Sequence, residues 1–222
     1  MSQPPVISVR GEAVLEAPPE IARLTITVRV EERDRRKALD ELTAANRRCL
    51  DLLASYGDAL EPAETGAVHL SPAVKYRRRQ NDILTYQGSV GTKVVVTDFA
   101  VLGELVTRLF DLDHTTVHGP HWDLRRDSPV HARAAEQAAH AAVERARHYA
   151  AALGASLTGL IELSDEKSDI DDWGHTGPRA VAYAGAAPGG ASEPEALDLA
   201  PQTQTISASV LARFHTTPPD LS

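Results

Sequence analysis

The chain has 222 residues and a formal net charge of −8, with 42% hydrophobic, 24% charged and 5% aromatic residues. This length and composition exclude a disordered chain and suit one large domain or two small ones with a sizeable core built from Leu, Val, Ile and Ala. The acidic balance argues against non-specific binding to nucleic acid or to an anionic membrane, since both need a positive field.

No window approaches the roughly 18 consecutive apolar residues of a spanning helix. Met1-Ser2-Gln3-Pro4-Pro5 has neither the basic start nor the apolar stretch of a signal peptide. The single cysteine, Cys49, excludes an internal disulfide and reads as core packing on a helical stripe. On these grounds the expected compartment is the cytoplasm.

Val6 to Val9 is a short apolar run that stops at Gly11, with Ala13 to Leu15 continuing after it and Pro18-Pro19 breaking the chain. Leu24, Ile26, Val28 and Val30 alternate with Thr25, Thr27 and Arg29, which predicts a strand with one wet and one buried face. Asp34 is placed to cap a helix carrying Leu39, Leu42, Asn46, Cys49, Leu50 and Leu53 at helical spacing, with Gly57 as its stop. Two strands follow, roughly Gly66 to Tyr76 and Leu84 to Thr97, joined by a polar tip whose Arg77-Arg78-Arg79 reads as solvated. The β-branched Val94-Val95-Val96 suggests a central position for the second.

Phe99 to Phe110 predicts a short helix with Leu102, Leu105, Val106 and Leu109 on one side, and Thr115 to Leu124 a strand. Pro120 favours an edge position or a bulge for that strand, because proline donates no ladder hydrogen bond. Ser128-Pro129 opens a long helix, in which Ala132, Ala135, Ala139, Ala142, Ala146, Ala150 and Leu153 form the expected sheet-facing stripe and Gly154 the stop. Leu157 to Leu163 predicts a strand, and Ile206 to Phe214 alternates as a closing one.

These elements spell β-α-β-β twice, with one extra short helix between the copies. The expected fold class is α+β: duplicated halves whose mostly antiparallel sheet packs against two long helices. Residues 6–215 are expected to form one domain, with pseudo-repeats at about 20–97 and 113–215. Within it, residues 165–201 are expected to be an acidic, irregular excursion, with frayed ends at 1–5 and 216–222.

The order Ile7-Ser8-Val9-Arg10-Gly11-Glu12-Ala13, then Ala17-Pro18-Pro19-Glu20-Ile21-Ala22, then the alternating strand to Val30, resembles the opening of SIMPL-domain proteins. That opening is a V-x-G-x-G turn and a proline followed by an acidic residue; here Ala13 stands for the second glycine and Glu20 for the usual aspartate. Ser71-Pro72 with Tyr76 and Tyr86, and Ala132-Arg133 opening a helix that closes on Ala151-Ala152-Leu153-Gly154, extend the resemblance over about residues 6–215. The resemblance implies a compact α+β domain that in some members assembles into ring-like oligomers, with exported members linked to oxidative-stress defence. It carries over no catalytic residue.

His114, His118, His121 and His131 form the one histidine cluster with a metal reading, but on a regular strand His118 and His121 point to opposite faces. Surface and strand-end histidines are the plainer reading, and no cofactor is called for. Asp169, Asp171 and Gly174 match part of a calcium loop, yet Trp173 and Ala180 stand where ligands belong. Gly88-Ser89-Val90-Gly91 is not a nucleophile elbow, and Gly185 to Gly190 has no preceding strand to make it a phosphate cradle. Trp122 is read as core, and Trp173 as able to anchor an interface.

The leading expectation is a non-enzymatic assembly or interaction protein that associates with itself through sheet edges. The alternatives are a metal- or small-molecule-binding protein or enzyme with a site near His114 to His131, and a stress-response factor that docks a partner through residues 165–201.

Overall fold

The computed structural model describes residues 4–74, 83–166 and 197–220, which hold three α-helices and seven strands in two antiparallel sheets. The strands are β1 (Val6–Ala17), β2 (Ile21–Glu32), β3 (Glu64–Val74), β4 (Ile83–Val96), β5 (Thr115–Asp123), β6 (Leu157–Glu166) and β7 (Gln204–Thr216). The helices are α1 (Arg35–Ala54), α2 (Leu102–Phe110) and α3 (Pro129–Ala152). The contacts divide these elements into two compact units.

One unit holds the four-stranded sheet β3-β4-β2-β5 with α1 and α2. The alternation in β2 does what it predicts: Leu24, Ile26, Val28 and Val30 are buried and pack with Leu42, Cys49 and Leu53 of α1 and Val90, Val94 and Val96 of β4. Helix α1 starts where Asp34 accepts hydrogen bonds from the Arg36 and Lys37 amides, at 2.9 and 3.0 Å. That satisfies donors with no partner inside the helix. Its buried line is Ala38, Leu42, Ala45, Cys49 and Leu53, so Leu39 lies outside it and is exposed. Leu102, Leu105, Val106 and Leu109 of α2 complete this core, and Trp122 packs edge-on against Phe99 with ring centroids 4.9 Å apart. Leu199 also rests on this core.

The other unit holds the three-stranded sheet β1-β7-β6 and α3. Strand β1 runs unbroken through Gly11, where the sequence suggests a stop. Glycine is needed there because a side chain would enter the Ala138 carbonyl and the Ala142 amide of α3. The sheet-facing line of α3 also differs from the expected stripe: Val130, Ala134, Ala138, Ala142, Ala146 and Ala150 are buried, while Ala132 and Ala135 are exposed and Ala139 half-buried. In a helix rich in alanine on every side, periodicity gives little contrast between faces. Val9, Val210, Ala212 and Phe214 of β1 and β7 form the core against that line. After β7, the Thr217 amide donates to Ser156 O and the Asp220 amide to Leu153 O, both at 2.9 Å, which ties the chain to the end of α3.

The expected order β-α-β-β, helix, β-α-β-β is present as β2-α1-β3-β4, α2, β5-α3-β6-β7. Hydrogen bonding exchanges one strand between the copies. β5 pairs with β2 of the first copy, and its place beside β7 is taken by β1. As Pro120 requires, β5 is an edge strand, and its register slips between Arg23 and Thr25 next to the cis Gly119–Pro120 bond. The tip at Arg77 to Arg79, Tyr76, the Asp169-Asp171-Trp173-Gly174 pattern with Ala180, and Gly185 to Gly190 lie outside the described residues.

Candidate functional site

Because Val28 and Val30 turn toward α1, Arg29 and Glu31 stand on the other, open face of the four-stranded sheet. The register sets partners beside them. Arg29 is opposite Ser89 of β4, and Ser89 is opposite His69 of β3; one step along, Glu31 is opposite Gln87, and Gln87 opposite Ser71. The Arg29 amide donates to His114 O at 2.8 Å, which adds His114 to the first row just before β5 begins. His114 holds φ of 66°, an uncommon conformation for a residue with a side chain. Residues of both rows, with the backbone of Val30 and Gly88 between them and His114 at one end, line a groove of about 610 Å³.

The two rows differ in chemistry. In the second, the Glu31 carboxylate accepts from Thr85 Oγ1 at 2.7 Å and from Gln87 Nε2 at 3.3 Å, so its position is fixed. In the first, the side chains of Arg29, His69 and Ser89 make no hydrogen bond or ion pair among the described residues. His114 Nε2 is 3.9 Å from Glu41 Oε1, a carboxylate shared with Arg48 at 3.4 Å. The sequence nominates no base for Ser89; the register supplies an imidazole across from it, though no hydrogen bond joins the two. Sequence reading misses this row because its members come from separate strands, and only the pairing brings them together.

The histidines of the metal reading fall on separate elements, His114 just before β5, His118 and His121 on it, and His131 on α3. His118 pairs with Thr25 and His121 with Arg23, so the extra residue at the slip puts both on one face, not on the opposite faces of a regular strand. His131 lies on α3 in the other unit. Among the described residues, no group of three or more His, Cys, Asp and Glu side chains is arranged to hold a metal ion. Cys49 is fully buried, and burial pushes its thiol up to about 11, which leaves it protonated and inert at neutral pH.

A second surface lies on the three-stranded sheet. β6 pairs with β7 on one side and with no strand on the other among the described residues. It also carries Leu160, Ile161 and Leu163 at 57%, 39% and 51% exposure, well above what a buried strand shows. A groove of about 490 Å³ runs beside it, lined by Val143, Ala150 and Ala151 of α3 together with Leu157, Leu160 and Phe214. No helix among the described residues is long and apolar enough to cross a membrane.

The family model described as SIMPL, a protein of unknown function (DUF541), matches residues 7–214. Two curated relatives are both named 26 kDa periplasmic immunogenic protein, one from Brucella melitensis biotype 1 and one from Brucella abortus strain S19. Each is 26% identical over 171 residues, covering 74% of this chain and 68% of the relative. Among solved structures, the de novo designed protein Foldit4 shares 17% identity over 45% of this chain and 92% of its own, with a TM-score of 0.27. That score is too low to equate the two folds.

Proposed function

The chain belongs to the SIMPL family, and we propose from that premise that it acts by association rather than by catalysis, joining copies of itself through the β6 edge. One observation carries this reading: among the described residues, β6 presents an unpaired backbone edge and three exposed aliphatic side chains at the same place. A row of open N–H and C=O groups is a template for another strand, and soluble proteins ordinarily blunt such edges with charge, proline or a cover. Here the first half of the strand, Leu157 to Ile161, carries no charge at all.

A second copy fits the charge pattern of β6. In an antiparallel pairing of two β6 strands about a dyad at Ile161, Ile161 faces its own copy, Glu162 falls opposite Leu160, Leu163 opposite Gly159, and Asp165 opposite Leu157. No carboxylate then faces another, and the two isoleucines meet across the axis. Like charges directly opposite would oppose the pairing, so their absence supports a two-fold contact. The ring-like assemblies implied by the family resemblance agree with an edge left open for a neighbour.

Light scattering on a sizing column tests the reading. The expected mass is a multiple of the 23.9 kDa chain, reduced to the single chain by Ile161→Pro or by Leu163→Glu. A single-chain mass for the unaltered protein at every concentration overturns it, as does an unchanged mass in both variants. Compartment is a separate question, raised by both curated relatives being named periplasmic. Fractionation of expressing cells, with the mass of the recovered chain, decides it.

A further inference from the structure

We propose that the groove on the open face of the four-stranded sheet binds a hydroxylated small molecule carrying one phosphate group. The phosphate lies over Arg29, His69 and Ser89, and the hydroxyls lie over Glu31, Ser71 and Gln87. The placement follows from the register: His69, Ser89 and Arg29 stand side by side on three adjacent strands, about 4.8 Å apart from strand to strand. A guanidinium offers a rigid fork of donors, a neutral imidazole one donor and a hydroxyl another. Donors arriving from three strands suit a group with three outward oxygens better than the two of a carboxylate. Arginine forks bind phosphate oxygens in pairs, which adds geometric selection to charge.

The second row sets what the rest of the ligand must be. Two residues along a strand is about 6.6 Å, so a group attached to the phosphate reaches Ser71, Gln87 and Glu31. Glu31 is held by Thr85 and Gln87 at 2.7 and 3.3 Å. Its carboxylate repels a second anionic group there and accepts from hydroxyls. A groove of about 610 Å³ is within the size range of small-ligand sites. The protein carries a net charge of −8, so attraction for the phosphate rests on this local row and not on the overall field. Because Arg29 and His69 are exposed, solvent and salt weaken the site and millimolar binding is expected.

Ligand-observed NMR on the full chain tests this, using the phosphorus line width of inorganic phosphate and of glucose 6-phosphate. Proton saturation transfer to glucose and to glucuronate supplies the uncharged and carboxylate arms. The expected result is saturable broadening for both phosphates, several-fold tighter for glucose 6-phosphate, with no transfer to glucose. Arg29→Ala, a surface change, is expected to weaken binding about tenfold or more, with Arg29→Lys between the two. Glu31→Gln is expected to narrow the preference for glucose 6-phosphate by admitting inorganic phosphate more readily. No saturable broadening into the tens of millimolar overturns the proposal. So does binding unchanged in Arg29→Ala, or glucuronate binding as tightly as the sugar phosphate. None of these outcomes bears on the particle mass, so this site and the β6 association fail separately.

Discussion

Gly11 of β1 lies so close under Ala142 of α3 that a Cβ on Gly11 would stand 2.5 Å from the Ala142 amide nitrogen and 2.7 Å from its Cβ. Both obstacles belong to a helix already stripped to alanine, so neither can move aside as a long side chain would. Gly11→Ala is therefore expected to cost about 3 kcal/mol or more, at the upper end for overpacking. Gly91→Ala is the control, because a Cβ there meets nothing within 4 Å, and its effect is expected within about 0.5 kcal/mol. Urea unfolding of the two variants against the parent gives both numbers.

The cap of α1 is a second local device. Asp34 Oδ1 accepts from two consecutive amides, Arg36 and Lys37, at the exposed start of the helix. Asp34→Ala leaves those donors to water and is expected to lower stability by about 1 kcal/mol, whereas Asp34→Ser should recover most of it. The midpoint of chemical unfolding measures the difference. Equal midpoints for all three proteins would show that the cap contributes nothing.

The same residues show what a linear sequence exposes and what it conceals. Asp34, the alternation of β2 and the apolar side of α2 are local patterns, and the elements they predict are present with ends shifted by a few residues. The face of α3 is not local: alanine occupies all sides, and the choice of Ala134 and Ala138 over Ala135 and Ala139 is made by where Gly11 admits the helix. Strand exchange is concealed for a related reason. A half-buried strand reads alike whichever neighbour it joins, so nothing in β5 itself announces that it pairs with β2. The row His69-Ser89-Arg29 depends on two registers at once, and motif spacing along one strand does not encode it.

Thr92 presents a discrepancy of a different sort. It sits on β4 at 1% exposure, opposite Ile26, and its hydroxyl has no hydrogen-bond partner among the described residues. A buried hydroxyl without a partner retains its desolvation cost, and an apolar group of the same shape removes it. Thr92→Val is accordingly expected to raise stability by about 1 kcal/mol, and thermal unfolding should show a higher Tm. A lower Tm would mean that the hydroxyl is satisfied in solution.

Cys49 gives a pH dependence whose sign is fixed by burial. Its thiol is pushed from 9.0 to about 11 in the folded chain, because the thiolate would lose its hydration among Leu42, Leu53 and Val94. The unfolded thiol ionises as pH passes about 9, while the folded one keeps its proton until about 11. Between those values the unfolded state binds fewer protons, so stability falls as pH rises. This contribution is complete below the unfolded value and is lost on approaching the folded one, amounting to roughly 2 kcal/mol. Other groups titrate in the same window, but Cys49→Ala removes this one alone. The stability gap between parent and Cys49→Ala is therefore expected to narrow by about that amount between neutral pH and pH 11, measured by urea unfolding. Thiol labelling gives the companion result: no reaction in the folded chain at neutral pH, and one thiol per chain after unfolding. A gap that stays constant with pH, together with rapid labelling of the folded protein, would place Cys49 in contact with water and contradict the packing of α1 on β2 and β4.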